Sequence, residues 1–293
     1  MAGFELLILR LECVFEAPLR IARTAQVKLL ADAFPHFLRR ASCDTPSLDC
    51  RSCRRRPGCA YSTVFEPMAR DAAAGIEFIE DAGLPFAIRP PGAGGSEARF
   101  DLVLAGDAIL HTPAMIEAFA LLGRAGYGRE RLRFRVASVR ALDASFSPRS
   151  APVDPSDLRP LASTQPLRTA DVIGTVSAAA MKTASIRFVT PPLLRPGKPI
   201  ERVPFGLMAR RVRDRIRIVG LVHCGGEPEI DLRGVAVRAD AVTLAPRPRG
   251  SGSDVIEYFG PLHDLVPMLR LGAVLNIGEW CAYGQGWYDV ARQ

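Results

Sequence analysis

Four of the seven cysteines crowd into one short loop: Cys43, Cys50, Cys53 and Cys59. Their spacing, Cys43-x6-Cys50-x2-Cys53-x5-Cys59, suits a metal. A Cys-x2-Cys pair grips one ion from a tight turn, and flanking thiolates at this range can close a tetrahedron. Zinc is the first expectation, and an iron–sulfur cluster would take the same four thiolates. With all four ligating, the site is closed and its role structural. The alternative is four free thiols in a loop. Cys13, Cys224 and Cys281 stand alone in apolar surroundings and read as small buried hydrophobes. Clustered cysteines in a chain expected to be cytoplasmic point to metal rather than to disulfides.

The second chemistry-bearing group is arginine. The chain carries 38 basic and 31 acidic residues, a formal charge of +7, and the basic side chains are nearly all arginine. Guanidinium forks match phosphate two bonds at a time. Arg10, Arg20, Arg23, Lys28, Arg39 and Arg40 precede the cysteine loop, and Arg51, Arg54, Arg55 and Arg56 lie inside it. Arg210, Arg213 and Arg217 recur at helical spacing, and Arg247 and Arg249 sit in the polar stretch "APRPRGSGS". Three separate basic strips read as a surface that tracks a phosphate backbone; the alternative is ordinary solvated faces. Aromatics make up only 7%. A nucleic-acid partner would therefore be read by backbone and shape, as a folded RNA element is, more than by stacked bases.

Elements of α+β type must position these groups. Alternation over Glu5 to Phe15 predicts a first strand. An apolar face on Leu29, Leu30, Ala33, Phe34, Phe37 and Leu38 predicts a helix from about Ala25 to Arg40, with a kink or break at Pro35. After the cysteines come a helical stretch around Thr63 to Glu80, the extended piece "PFAIRPP", the strand "ARFDLVLAG", the helix "TPAMIEAFALLGRAGYG" and the strand "RLRFRVASVRALD". A Pro- and Ser-rich segment, about 146–170, reads as a linker or wrapping segment. The second half repeats the outline. "KTASIRFVTPPLL" is a strand, and "PFGLMARRVRDRIRIV" is a helix with Phe205, Met208, Val212 and Ile216 inward. "LRGVAVRADAVTLA" is one strand or two, "PLHDLVPMLRLGAVL" is a helix, and "NIGEWCAYGQGWYDV" is a closing strand. The expected architecture is two tandem ferredoxin-like (RRM-like) domains. The first spans 1–145, with an insertion at about 41–82; the second spans 171–293. No apolar run approaches the ~18 residues that span a bilayer, so a cytoplasmic location is expected.

Four stretches in this order carry a resemblance: "HFLRRASC" with the cysteines and "CAYSTVFEP"; "FDLVLAGDA…PAMIEAFALLGRAGYGRERLRFRV"; "IRFVTPPLLRPGKP"; and "LNIGEWCAYGQGWYDV". Together they resemble the CRISPR-associated endoribonucleases that process precursor CRISPR RNA, within the repeat-associated mysterious protein superfamily, over nearly the whole chain. The resemblance implies binding of a CRISPR repeat hairpin and one metal-independent cleavage. In that cleavage the ribose 2′-OH attacks the adjacent phosphate, leaving a 2′,3′-cyclic phosphate and a 5′-OH. It implies that the protein stays on the mature crRNA and joins other CRISPR effector subunits in antiviral defence. The alternative is a catalytically silent crRNA-binding subunit. A metal-dependent nuclease finds no support, because no carboxylate cluster stands at ligand spacing.

The resemblance places His36 where the family's catalytic histidine tends to lie, as base or acid, with Arg23 and Lys28 assisting. A second arrangement, found in the type IV branch, replaces the missing histidine with arginine. Here that assigns Arg23 with Arg39 or Arg40 to stabilise the phosphorane. The resemblance also makes Gly278, Gly284 and Gly286 a glycine-rich loop whose amides approach RNA phosphate. Trp280, Tyr283 and Trp287 would hold that loop against the second domain. Glu279, where the family commonly carries a basic residue, moves the expected chemistry toward the first helix.

Overall fold

The computed structural model describes residues 4–44, 49–67, 80–174, 182–194, 202–246 and 255–290. Arg247 and Arg249 lie outside the described residues, as does most of the helix expected around Thr63 to Glu80. The first half runs β1 (Glu5–Phe15), α1 (Arg23–Ser42), α2 (Ala60–Phe65), β2 (Phe86–Arg89), β3 (Glu97–Ala105), α3 (Thr112–Ala125) and β4 (Phe134–Leu142). The short elements α4 (Arg159–Ala162), β5 (Leu167–Arg168) and α5 (Thr169–Ile173) follow. The second half runs β6 (Thr183–Phe188), α6 (Phe205–His223), α7 (Val235–Asp240), β7 (Thr243–Leu244), β8 (Val255–Phe259), α8 (Val266–Leu275) and β9 (Tyr288–Val290).

The main strands form two antiparallel sheets, ordered β2-β3-β1-β4 and β7-β8-β6-β9, with β5 added to the start of β1. Leaving aside the short extra elements, each half threads β-α-β-β-α-β through the same strand order, the expected ferredoxin-like repeat. Residues between β4 and α4 wrap along the sheet, with Val153 bridging to Val139 and Pro148 to Leu142. No helix among the described residues is long and apolar enough to cross a membrane.

Three local expectations change. Helix α1 runs unbroken through Pro35; one lost backbone bond is outweighed by the burial of Val27, Leu30, Phe34, Phe37 and Leu38. "GVAVRAD", whose valines mimic strand alternation, is the short helix α7, begun at left-handed Gly234 and burying Val235 and Ala239. "LVHCGG" reads in sequence as a strand end, but its His223 closes α6.

Strand alternation divides the first sheet. Leu7, Leu9, Leu11, Cys13 and Phe15 of β1 pack with Val27, Leu30 and Phe34 of α1 and with Met115 and Phe119 of α3. Leu6 and Ile8 point the other way. With Ala87, Val103 and Leu142 they join a second apolar cluster that includes Met208, Val212 and Ile216 of α6 and Leu271 and Val274 of α8. The second half therefore shares a core with the back of the first sheet. Further along that back face the side chains turn polar: Arg10 pairs with Asp101 at 2.7 Å, and Arg140 with Glu12 at 3.1 Å.

Helix α6 is fixed to the first half by polar contacts inside this core. Arg215 is 1% exposed. Its guanidinium donates to the carbonyls of Ala82 and Leu84, both at 2.6 Å, and of Phe86 at 2.9 Å. His223 Nε2, also buried, sits 3.1 Å from the Gly83 carbonyl. A run of backbone that ends one element and enters β2 thus spends four carbonyls on one helix of the other half. Such carbonyls need partners once water is excluded, and hydrogen bonds from a charged donor are the strong kind.

Two predictions arise here. Arg215→Ala strips three buried carbonyls of their donor and is expected to cost about 3–5 kcal/mol, seen as a lower urea midpoint and Tm. Burial pulls the His223 imidazole down to about 4, opposed by its Gly83 bond and reinforced by Arg215. Between the ordinary value of 6.5 and about 4 the unfolded chain holds the extra proton. Stability is therefore full above 6.5 and declines as pH falls toward 4, by on the order of 3 kcal/mol. Urea titrations across this range are expected to be flatter in His223→Gln than in the unsubstituted chain.

Candidate nucleic-acid interface

The start of α1 is an electropositive corner. Its N-cap, Ala22, provides no side-chain acceptor, and the first turn holds no acidic residue. The partial positive charge of the helix end is left uncompensated there. Fully buried Gln26 secures the turn: Nε2 donates to the carbonyls of Ile21 at 2.9 Å and Pro91 at 2.8 Å, and Oε1 accepts from the Tyr127 hydroxyl at 3.3 Å. Arg23 Nε donates to the Pro90 carbonyl at 3.0 Å. Helix α1 is thereby tied to the "RPPGAGGS" turn between β2 and β3, whose Gly92, Gly94 and Gly95 are exposed.

The loop between α8 and β9 closes this corner from the other half. Gly278, Gly284 and Gly286 all have positive φ, at 90°, 104° and 64°. Their role differs from the one expected. All three are buried, so their amides do not face a phosphate. A Cβ on Gly286 would lie 1.9 Å from the Ile277 carbonyl oxygen, and one on Gly284 would lie 2.5 Å from Pro90 Cδ of the first half. These glycines allow backbone to pack on backbone. The segment after β6 staples the loop down. The Thr190 hydroxyl donates to the Gly284 carbonyl at 2.7 Å and accepts from Trp287 N–H at 2.9 Å, while Glu279 N–H donates to the Leu193 carbonyl at 2.9 Å.

The aromatic residues of the loop face the first half, contrary to expectation. Tyr283 meets Phe86 edge-on at 5.6 Å, and Trp280 packs against the α1/α3 core. Trp287 carries two guanidiniums on its ring, Arg23 at 5.1 Å and Arg89 at 4.7 Å. Arg89 in turn lies 3.9 Å from the Phe146 ring and donates to the Ala273 carbonyl of α8. Arg89 is 4% exposed, and burial lowers its guanidinium to about 10. Burial also lowers Arg23, which is less enclosed. Arg89, Phe146, Arg270 and Tyr288 border an open cleft of about 710 Å3.

The remaining expected site residues do not converge on this corner. His36 is exposed, edge-on to Phe37 at 5.2 Å, thirteen residues along α1 from Arg23. At 1.5 Å per residue that is about 20 Å, so His36 and Arg23 do not act on one phosphate. Arg39 stacks on Tyr61 at 5.4 Å and Arg40 on Phe37 at 5.9 Å, about 24 Å along the helix from Arg23. The expected pairing of Arg23 with Arg39 or Arg40 is therefore not assembled. Lys28 pairs with Asp32 at 3.1 Å. His111 contacts Thr63 at 3.0 Å, and His263 contacts Asp264 at 3.1 Å.

Several arginines of the basic strips are already spent. Arg213 pairs with Asp214 at 2.7 Å, Arg217 with Glu227 at 2.6 Å and Arg55 with Asp44, while Arg56 donates to the Glu66 carbonyl. Arg20, Arg51, Arg54 and Arg210 are exposed. In the cysteine loop, Cys43, Cys50 and Cys59 lie close enough to interact electrostatically. Burial pushes the Cys50 thiol up while Arg39 pulls it down. Among the described residues, no group of three or more His, Cys, Asp or Glu side chains is placed to hold a metal ion. Among the described residues the four thiols are not gathered into one closed site.

Sequence reading missed Arg89 and the partner side of Trp287. "FAIR" alternates, with Phe86 and Ile88 packed toward α1, so Arg89 falls on the opposite face. A charge on the inward side of a strand was the available signal.

Residues 4–156 match the family model AF_1859_N, described as an N-terminal domain. The chain belongs to this family. Beyond the AF_1859_N segment the likeness is structural and runs the full length. The chain aligns with the structure titled Cas6 (TTHA0078) substrate mimic complex at a TM-score of 0.52 and 14% identity, over 98% of this chain and 99% of that one. With the Cas6 (TTHA0078) product complex the values are 0.51 and 13%, over 98% and 100%. With the product complex of Thermus thermophilus Cas6 (TTHB231) they are 0.50 and 15%, over 98% and 99%. At these identities the likeness shows a shared fold. No curated protein matches the chain in sequence.

The loop geometry gives a direct test. Gly286→Ala forces a side chain into the Ile277 carbonyl at a left-handed φ and is expected to dislodge the loop. Lower Tm and faster proteolysis between α8 and β9 would report it.

Proposed function

We propose that this chain is a Cas6-like endoribonuclease that binds a CRISPR repeat hairpin and cuts precursor crRNA without metal. The observation that carries the reading is Arg23, held by its Nε and its stacked face at the uncapped N-terminus of α1, on a fold shared from end to end with Cas6. In the reaction the ribose 2′-oxygen loses its proton and bonds to the adjacent phosphorus. The P–O5′ bond breaks, and the leaving oxygen takes up a proton. The products are a 2′,3′-cyclic phosphate and a 5′-OH. Arg23 keeps its proton throughout, since guanidinium is no base at neutral pH. Its role is to bind the non-bridging oxygens as charge builds on the phosphorane, helped by the helix dipole. Exposed Arg20, Arg51, Arg54 and Arg210 supply backbone contacts to the hairpin, and the product stays bound for assembly with other effector subunits.

Among the described residues no histidine contacts Arg23, which favours slow, single-turnover chemistry. The same observation supports the second reading, a silent crRNA-binding subunit.

Single-turnover cleavage of the cognate repeat RNA tests both. Arg23→Ala is expected to slow cleavage by ~10²-fold or more, the usual cost of one oxyanion donor. His36→Ala is expected to leave it unchanged, and EDTA to have no effect. The rate is expected to keep rising with pH rather than level off near neutrality, as it would with a histidine base. Full cleavage by Arg23→Ala, or its loss in His36→Ala, moves the chemistry away from this corner. Tight binding with RNA left intact establishes the silent subunit.

A further inference from the structure

Arg89 has no carboxylate partner within ion-pair distance among the described residues, although it is nearly fully buried. Its Nε is buried and has no hydrogen-bond partner, and the same is true of Trp287 Nε1. Hydrogen bonding therefore does not explain why these two side chains meet. What they share is a stack: Phe146, Arg89, Trp287 and Arg23 succeed one another at 3.9, 4.7 and 5.1 Å. Each contact places a guanidinium over an aromatic face, an attraction that strengthens as water is removed. The middle of the stack is fixed, because Arg89 is tied to the Ala273 carbonyl of α8 and Trp287 N–H to Thr190. Arg89 is buried, whereas Phe146, Trp287 and Arg23 are each partly exposed.

Arg23 is thus constrained twice without being consumed. Its Nε is bonded to Pro90, and its face lies over Trp287. Neither of its two Nη groups hydrogen-bonds within the described residues, and one passes beside Gly92, where an added Cβ would sit 3.5 Å away. A long arginine side chain ordinarily gives up much rotamer freedom when it binds a phosphate. Here that loss is taken on folding. The fork is left open at a glycine turn with no side chain in its path.

We infer that Trp287 is a positioning residue for Arg23: backed by Arg89 and Phe146, its indole face holds the guanidinium ready for one RNA phosphate. This rests on the reading of the chain as an RNA-binding protein of the Cas6 kind and adds the device that aims its key cation. Trp287 acts through Arg23 and does not touch the RNA.

The test compares Trp287→Phe, Trp287→Leu, Arg23→Ala and the double variant Trp287→Leu with Arg23→Ala. Cognate repeat RNA is the probe, with affinity measured across salt concentrations and single-turnover cleavage measured alongside. Trp287→Phe keeps a π face and is expected to stay within about threefold of the unsubstituted chain. Trp287→Leu keeps apolar bulk but no π face. It is expected to lose most of what Arg23→Ala loses, in the same quantity, with a similar melting temperature to Trp287→Phe. The double variant is expected to be no worse than Arg23→Ala alone, because two groups acting as one unit are not additive.

Three results would overturn the inference. Trp287→Leu could behave as the unsubstituted chain, the two losses could multiply in the double variant, or Phe and Leu could be equally impaired. Multiplying losses would mean that the indole contacts RNA itself. If the unsubstituted chain neither binds nor cuts repeat RNA, the functional reading itself fails, an outcome distinct from RNA binding with uncoupled variants.

Discussion

Much of the architecture hangs on four neighbouring carbonyls. Ala82, Gly83, Leu84 and Phe86 turn their oxygens toward α6, where the buried side chains of Arg215 and His223 meet them. Apolar packing between the halves is non-directional and would tolerate sliding. A planar guanidinium reaching three fixed acceptors does not slide, because a small shift leaves buried groups unpaired at a cost larger than any one bond is worth. The register of the second half on the first is set there. Since β2 begins at Phe86, the same contact fixes where Arg89 and Pro90 emerge at the strand's far end.

From that fixed strand the candidate site follows in short steps. Pro90 accepts from Arg23, Pro91 accepts from Gln26, and Pro90 is the surface on which Gly284 rests. The corner is assembled from α1, the β2–β3 turn and the loop before β9. None of the three carries a complete binding surface alone. Arginine is used in three physical states: buried as a structural donor in Arg215, buried as a stacked cation in Arg89, and paired with a carboxylate at partly exposed positions in Arg213 and Arg217. Several of the 38 basic side chains are therefore paired or enclosed and do not face a polyanion.

The tandem βαββαβ order was legible because alternation and helical periodicity report the division between core and solvent directly. Phe205, Met208, Val212 and Ile216 lie inward as their spacing requires. What stayed hidden depends on contacts between distant segments. Arg215 looks like one more arginine in "RRVRDRIR", and only the carbonyls of another domain make it a core residue. The two valines of "GVAVRAD" imitate a strand, while helix formation there depends on packing against α6. The resemblance made the glycines of the closing loop a phosphate cradle. Their positive φ was foreseeable, but the backbone pressed against each was not. Similarly, the resemblance grouped Arg23, Lys28, His36 and Arg39, whereas one unbroken helix spreads them over about four turns.

The loop that supports Arg23, between α8 and β9, is made only after the whole of the first half. During synthesis the first sheet and α1 can fold as soon as they emerge, since domains generally fold as units in order of appearance. Until α8 and the loop after it are released, however, the guanidinium has no indole beneath it, and the Pro90 surface has no Gly284 upon it. A nascent or truncated chain then presents an arginine without its orientation. Competence of the corner thus becomes a report that the second half has been made and has closed upon the first.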